Sequence, residues 1–198
     1  MPHYFTSNAP KEITRGEIQT ILLGNSVTFH TESGIFSINK VDKGTEVLVT
    51  HCQIPNNALV LDLGCGYGAV GIAIAKAHFD ARIECCDINM RAVNICKKNI
   101  AKNQLTNIKV YHSDIYSKVR DKFDVILTNP PFSAGRAICY AFIDGAKKHL
   151  KLGGSLQLVA PHQKGGKMLE KRMHEVFGNV EIIGKKSGYR VYRSVQIV

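Results

Sequence analysis

Apolar and polar positions along residues 58–198 change period repeatedly. Short apolar runs of strand length alternate with segments in which apolar residues recur every three or four positions, the spacing of one helix face. The apolar runs predict strands at residues 58–63, 82–86, 108–112, 123–128 and 155–160. The segments between them predict helices at residues 69–78, 135–150 and 165–177, and another that begins after Asn89. This alternation predicts a parallel sheet with helices on both faces.

The two ends of the chain show strand-like runs that flank short turns. Residues 180–183 and 189–198 predict a C-terminal hairpin. Near the N-terminus, residues 27–30 and 35–38 flank the turn-forming segment Thr31–Gly34 and predict a second, smaller hairpin.

The composition is typical of a globular protein. Hydrophobic residues make up 44% and charged residues 21% of the 198 residues, which excludes a mostly disordered chain. We expect one domain over residues 1–198, with a core from residue 58 and an extension over residues 1–57. Every apolar stretch is well short of the ~20 residues that a membrane span needs, and no secretory signal is visible. The expected location is therefore the cytoplasm, with no membrane partner.

The net charge of +10 is distributed unevenly along the chain. Residues 1–90 carry 6 basic and 9 acidic side chains, whereas residues 91–198 carry 20 and 7, a net charge of +13. This excess favours a polyanionic partner, above all nucleic acid, because phosphate neutralisation supplies most non-specific affinity. A solvated basic surface that only aids solubility explains the charge equally well.

The six cysteines form no CxxC pair and do not cluster with the eight histidines along the sequence. Zinc sites need such pairs at short spacing, so we expect no structural metal. Cys85, Cys86 and Cys96 lie in apolar stretches and are expected to be small buried hydrophobic residues.

Candidate chemistry begins in the loop that follows the first core strand. The segment DLGCGYG, residues 62–68, combines a leading carboxylate with closely spaced glycines, which let a backbone turn sharply and approach a ligand. It overlaps a GxGxxG pattern that ends at Gly71 and that alone matches a dinucleotide fingerprint. Gly64 and Asp62 change this interpretation. A carboxylate at the strand end suits the ammonium group of an amino acid and would repel a pyrophosphate.

Two further aspartates end the next two predicted strands. Asp87 lies 19 residues after Gly68 and can accept hydrogen bonds from both hydroxyls of a ribose. Asp114 can accept one from the exocyclic amine of an adenine. Each aspartate alone is more often a helix cap or a turn residue. Three acidic strand ends after a glycine-rich loop nevertheless indicate an adenosyl amino acid rather than a dinucleotide.

The fourth predicted strand ends in NPPF, residues 129–132. Together with DLGCGYG, Asp87 and Asp114, this motif resembles the class I S-adenosylmethionine-dependent methyltransferases, and its NPPF form resembles those that methylate exocyclic amines or amides conjugated to a planar group. The segments GIFSINKVDKGTEVLV, VAPHQKGGK and GYRVYRS extend the resemblance over residues 3–195. They resemble small archaeal-type relatives of the catalytic domain of ribosomal RNA small-subunit guanine-N2 methyltransferases.

The resemblance implies a seven-stranded, mostly parallel Rossmann-like sheet with an antiparallel C-terminal hairpin strand and a small N-terminal β-hairpin. It implies S-adenosylmethionine as cofactor, bound by Asp62, Gly64, Cys65, Gly66, Gly68, Asp87, Ile88, Asp114, Ile115 and Asn129. It also implies that the extension, including Phe36 and Thr45, covers the cofactor. Candidate contacts to RNA phosphates are Arg136, Lys164, Lys167, Arg190 and Arg193, although each fits a solvated basic face equally well.

The expected catalytic residues are Asn129, Pro130, Pro131 and Phe132. An exocyclic amine is a poor nucleophile because its lone pair is delocalised. The Asn129 side-chain oxygen and the Pro130 carbonyl can each accept one amine hydrogen, and two prolines hold these acceptors rigidly. Phe132 can stack on the base. A turn that merely ends the strand is the structural alternative for this motif.

The predicted reaction is methylation of an exocyclic amine in RNA, with guanine N2 in ribosomal RNA as the preferred target. The alternatives are methylation of a protein glutamine amide, methylation of adenine N6 in nucleic acid, and a non-catalytic RNA-binding role. The bacterial enzymes that this sequence resembles have a pseudo-duplicated N-terminal domain, which we do not expect here. RNA recognition is therefore expected to need a homodimer partner, an assembly intermediate or another subunit.

Overall fold

The computed structural model describes residues 13–35 and 37–197, which form two sheets and the helices that cover them. An N-terminal hairpin consists of β1 (Arg15–Leu22) and β2 (Asn25–Glu32). The larger sheet has seven strands, which are β3 (Leu59–Leu63), β4 (Arg82–Asp87), β5 (Ile108–His112), β6 (Phe123–Thr128), β7 (Leu150–Pro161), β8 (Glu181–Lys186) and β9 (Tyr189–Val195).

The order of the seven strands confirms the predicted fold class. The order is β5-β4-β3-β6-β7-β9-β8, and every neighbouring pair from β5 to β7 is parallel. Only β9 runs against its neighbours, on both sides, which gives the antiparallel C-terminal strand. The chain moves outward from β3 in one direction through β4 and β5 and in the other through β6 and β7. Sheets of this kind bind ligands at the carboxyl ends of the strands that flank such a reversal.

Helices cover both faces of the larger sheet, as predicted. They are α1 (Lys43–His51), α2 (Ala69–Ala77), α3 (Met90–Lys102), α4 (Arg136–His149) and α5 (Lys167–Phe177). Successive side chains of β6 point to opposite faces, so that Val125 and Leu127 pack with α1, α2 and α3 while Ile126 packs with α4 and α5. Within the described residues, no helix combines the length and the apolar composition needed to cross a membrane.

The N-terminal hairpin exists, but its predicted strands were wrong. Its turn lies at Leu23–Gly24, where Leu22 pairs with Asn25, and not at Thr31–Gly34. Leu23 and Gly24 both have positive φ angles, 49° and 75°, as the favoured two-residue hairpin turn requires. The outward-facing Ile21, 71% exposed, interrupts the alternation that would have identified β1 in the sequence.

Two asparagines attach this hairpin to α3. Asn99 accepts a hydrogen bond from the His30 N–H at 2.7 Å and donates to the His30 carbonyl at 3.0 Å. Asn103, one helical turn later, makes the same pair of bonds to Thr28. Asn99 also donates to the Tyr67 carbonyl at 2.9 Å, so the hairpin is tied to the loop that follows β3. The extension therefore supports this loop from outside the sheet.

Candidate active site

A cavity of about 580 Å³ lies at the carboxyl ends of the parallel strands. It brings together residues from all four sequence motifs, which are far apart along the chain. The predicted site residues that line it are Asp62, Gly64, Cys65, Gly66, Asp87, Ile88, Asp114, Ile115, Asn129, Pro130, Pro131, Phe132 and Lys164. Of the predicted cofactor-site residues, Gly68 is absent from this wall.

Asp62 is the last residue but one of β3 and precedes the glycine-rich loop. Its side chain is 2% exposed, and its Oδ2 accepts a hydrogen bond from the Gly71 N–H at 2.8 Å. Burial raises the pKa of Asp62 to about 8, because an ionised carboxylate is poorly solvated there. A ligand ammonium group beside Asp62 would favour the ionised form and offset that cost. This part of the cavity suits a cationic amine.

Asp87 ends β4 and holds the glycine-rich loop in place. Its Oδ2 accepts from the Gly66 N–H at 2.8 Å, and its Oδ1 accepts from the Asn89 N–H at 2.8 Å. The carboxylate thus joins the loop after β3 to the start of α3, where Asn89 caps the helix. Because Asp87 also lines the cavity, it can both shape the loop and accept hydrogen bonds from a bound ligand.

The third strand end is more open. Asp114 is exposed, and none of the hydrogen bonds among the described residues involves its carboxylate. Apolar side chains surround this part of the cavity, including Ile88, Ile115 and Phe142. Phe142 comes from α4 and lies against the loop, since a Cβ added at Gly64 would be 3.2 Å from its ring. An apolar slot beside a carboxylate suits a flat heterocycle that carries an amine.

Gly68 and Gly71 leave room for thiols rather than for a ligand. A Cβ at Gly68 would lie 2.6 Å from Cys96 Sγ, and a Cβ at Gly71 would lie 2.3 Å from Cys85 Sγ. The part of the sequence that matches a dinucleotide fingerprint is therefore explained by packing behind the loop.

The sulfurs of Cys65, Cys85 and Cys96 lie within 4.8 Å of one another, a cluster that the sequence spacing did not reveal. The cluster forms because a loop, a strand and a helix converge. Three thiols leave a structural zinc one ligand short. The nearby Asp62 Oδ2, 3.9 Å from Cys85 Sγ, already accepts from Gly71. The expectation of no structural metal stays a prediction.

One buried polar atom at the cavity wall lacks a partner. Tyr67 is 2% exposed, and its hydroxyl makes no hydrogen bond within the described part of the chain. Burial, together with the nearby carboxylates of Asp42 and Glu46, raises the pKa of Tyr67, so this hydroxyl keeps its proton. The cavity therefore combines three features, which are the unpaired hydroxyl donor of Tyr67, the buried carboxyl group of Asp62 and the apolar slot beside Asp114. Together they fit an adenosyl amino acid such as S-adenosylmethionine.

Asn129 connects the NPPF motif to the N-terminal extension. Its side-chain Nδ2 donates to Asp42 Oδ2 at 3.0 Å and to Thr45 Oγ1 at 3.2 Å. Asp42 also caps α1 by accepting from the Thr45 N–H. Asp42 was missed by sequence reasoning, although an aspartate just before a helix is an N-cap signal. Thr45 lines the cavity, whereas Phe36 lies outside the described residues.

The basic candidates divide into four groups. Lys164 lines the cavity. Lys167 and Arg190 lie near His162, whose pKa is lowered first by burial and then by these two cations. Arg193 forms an ion pair with Glu181 on the neighbouring strand, which reduces its availability to a phosphate. Arg136 is exposed at the start of α4 and does not line the cavity.

Comparison with known proteins identifies the family. The model of the methyltransferase small domain matches residues 26–193. The chain belongs to the methyltransferase small domain family. The prediction of a class I S-adenosylmethionine-dependent methyltransferase is thereby confirmed, and its Rossmann-like fold agrees with that class.

Several relatives of this methyltransferase are similar over almost its full length. The uncharacterized Bacillus subtilis protein YbxB is 32% identical over 98% of both chains. Ribosomal RNA small subunit methyltransferase C of Haemophilus influenzae is 34% identical over 96% of this chain, which spans only 56% of that relative. A T. thermophilus 16S rRNA N2 methyltransferase, solved with AdoMet and guanosine, superposes with a TM-score of 0.82 at 29% identity. That match covers 95% of this chain and 52% of the other.

Proposed function

We propose that this methyltransferase transfers a methyl group from S-adenosylmethionine to an exocyclic amine of an RNA base, with guanine N2 in ribosomal RNA as the target. The observation that carries the proposal is that the Asn129–Phe132 wall and the acidic strand ends Asp62, Asp87 and Asp114 face one cavity. The donor and the acceptor of a methyl group need such a shared space, because transfer requires the reacting atoms to be aligned.

The residues of the cavity would activate the amine by hydrogen bonding alone. The Asn129 Oδ1 and the Pro130 carbonyl each accept one amine hydrogen, which draws the nitrogen towards a tetrahedral shape and aims its lone pair across the cavity. Phe132 stacks on the base and sets its distance. When bound, the cofactor supplies an electrophilic methyl group on a sulfonium. The methylated nitrogen is acidic and loses its extra proton to water, so no strong protein base is needed.

Charge and similarity support RNA as the substrate class. Lys164 lines the cavity, and Lys167 on α5 and Arg190 on β9 are close in sequence to the cavity-lining Lys164 and Tyr189, so all three cations can contact phosphates. The T. thermophilus enzyme described above acts on 16S rRNA and was solved with guanosine. A base in structured RNA would have to swing out of its stack to enter the cavity. Because this chain spans about half of that enzyme, a homodimer partner or an assembled particle is the proposed source of further RNA contacts.

Transfer of radiolabelled methyl tests the proposal directly. Unmodified small-subunit rRNA, large-subunit rRNA, tRNA, assembled small subunits and total protein are offered side by side, with Asn129→Ala as the inactive control. The expected result is label in small-subunit rRNA, free or assembled, that digests to N2-methylguanosine. Label as N6-methyladenosine, or label only in protein glutamine, would replace the proposed target. Cofactor binding without label in any sample would favour a non-catalytic RNA-binding role.

A further inference from the structure

The hydrogen bonds of the Asn129 amide fix which of its ends faces the cavity. A carboxylate can only accept hydrogen bonds, so the Asn129 atom that lies 3.0 Å from Asp42 Oδ2 must be the nitrogen. The second N–H is used by Thr45 Oγ1 at 3.2 Å. Both donors of the amide are thereby occupied by the N-terminal extension. The side-chain oxygen accepts no hydrogen bond from any described residue and is the end left for the cavity.

We propose that Asp42 is a positioning residue, which sets the orientation of the Asn129 amide and thereby selects an N–H donor as the substrate group. With the opposite orientation the amide would present an NH₂ group, which suits a carbonyl oxygen and not an amine. Asp42 acts through Asn129, whereas Thr45 supplies the second acceptor. This inference rests on the proposed methylation of a planar amine. It adds that the hydrogen bond from Asn129 to Asp42 makes the site specific for amines.

The surrounding backbone is arranged for this pair of side chains. Gly44 lies in the first turn of α1, and a Cβ there would be 2.9 Å from Asp42 Oδ2 and 3.2 Å from Asn129 Nδ2. Any larger residue at position 44 would therefore press on the hydrogen bond between them. The same Cβ would lie 3.0 Å from the ring of Tyr189, which closes the other side. Glycine at position 44 therefore leaves the space that the hydrogen bond between Asp42 and Asn129 needs.

The substitution Asp42→Ser distinguishes the role of Asp42 in orienting the Asn129 amide from its role in capping α1. Serine caps a helix as well as aspartate does, so α1 should keep its start, but its shorter side chain cannot reach Asn129. We expect turnover to fall about tenfold, the loss typical of one hydrogen bond to a charged group, with unchanged cofactor affinity and melting temperature. Asp121→Ser is the matched control, because Asp121 is exposed at the opposite end of β6. Thr45→Val should lower turnover several-fold by removing only the second acceptor.

A double-mutant cycle tests whether Asp42 acts through Asn129. Adding Asp42→Ser to Asn129→Ala should lower turnover no further, because the amide that Asp42 orients is already absent. Full additivity of the two losses would overturn the positioning role. A general structural effect of Asp42 would lower turnover in both backgrounds.

A nuclear magnetic resonance measurement keeps the inference testable when transfer fails. The Asn129 side-chain NH₂ signal is assigned from its loss in Asn129→Ala. It should exchange slowly with water in the unsubstituted protein, and it should shift and exchange faster in Asp42→Ser. An Asn129 signal that is identical in the two proteins would overturn the inference. A responsive signal in a protein that methylates no RNA would instead refute the proposed function and leave the inference standing.

Discussion

The two halves of the cavity are built in different ways. In the half that we assign to the cofactor, Asp62 and Asp87 are each 2% exposed, and both accept hydrogen bonds from main-chain N–H groups. In the half that we assign to the substrate, Asn129 and Phe132 are half-buried and Lys164 is exposed. One half is shaped before any ligand arrives, whereas the other is open.

This difference matches the demands of the two proposed ligands. A small adenosyl amino acid has one shape, and rigid acceptors that are already in place lower the ordering cost of binding it. A folded RNA is large and varied, and exposed cationic side chains such as Lys164 can contact its phosphates in more than one arrangement. The halves meet at Asn129, whose side-chain oxygen would contact the amine. Substitutions should therefore separate binding from chemistry across this boundary.

The largest expected effect follows removal of the amide at the boundary. Asn129→Ala should lower single-turnover methyl transfer by about 10²-fold or more, because a positioned polar acceptor is lost. The affinity for S-adenosylmethionine, measured by calorimetry, should stay nearly unchanged. An equal loss of cofactor affinity would place Asn129 in the cofactor half and contradict our assignment.

Asp87→Ala should give the opposite result. Loss of a buried carboxylate that accepts charge-assisted hydrogen bonds should weaken cofactor binding roughly 10²-fold, and turnover at saturating cofactor should change much less. Asp87→Asn is the matched control, since it keeps the size but loses the charge and one of two acceptors. Calorimetric affinity that is unchanged in Asp87→Ala would remove Asp87 from the proposed ribose site.

The sequence predicted that the acidic strand ends Asp62, Asp87 and Asp114 would share one cavity, because the elements that carry them are contiguous along the chain. Three predicted strands that each end close to an aspartate lie within residues 58–115, the first is followed by the glycine-rich loop, and parallel strand ends must meet at one edge of the sheet. The contacts of Asn129, where the cofactor half and the substrate half meet, could not be predicted in this way. The bond between Asn129 and Asp42 joins positions 87 residues apart, and it depends on how α1 packs across the sheet. The thiol cluster was missed because it depends on how the loop after β3, strand β4 and helix α3 converge, which the spacing of the cysteines does not reveal.

The smallest expected effect is that of Gly71→Ala, which tests how α2 packs against β4 behind the cofactor half. Glycine to alanine inside a helix usually stabilises a protein by about 0.5–1 kcal/mol. Gly71 lies within α2, but a Cβ there would be 2.3 Å from Cys85 Sγ. We expect Gly71→Ala to lower the free energy of unfolding by about 1–3 kcal/mol, the usual cost of overpacking, as measured in urea. Cofactor affinity should fall with it, because the Gly71 N–H holds Asp62.

A second substitution identifies the cause of that loss. Adding Cys85→Ala removes the sulfur that the new methyl group would meet, so the double variant should recover much of the lost stability. Cys96→Ala is the matched control, because the sulfur of Cys96 is not among the atoms nearest to a Cβ at Gly71. Equal recovery with both alanines would indicate general loosening of the core. Recovery with Cys85→Ala alone would show that this glycine makes room for a thiol, so the fingerprint-like spacing reflects packing rather than a dinucleotide.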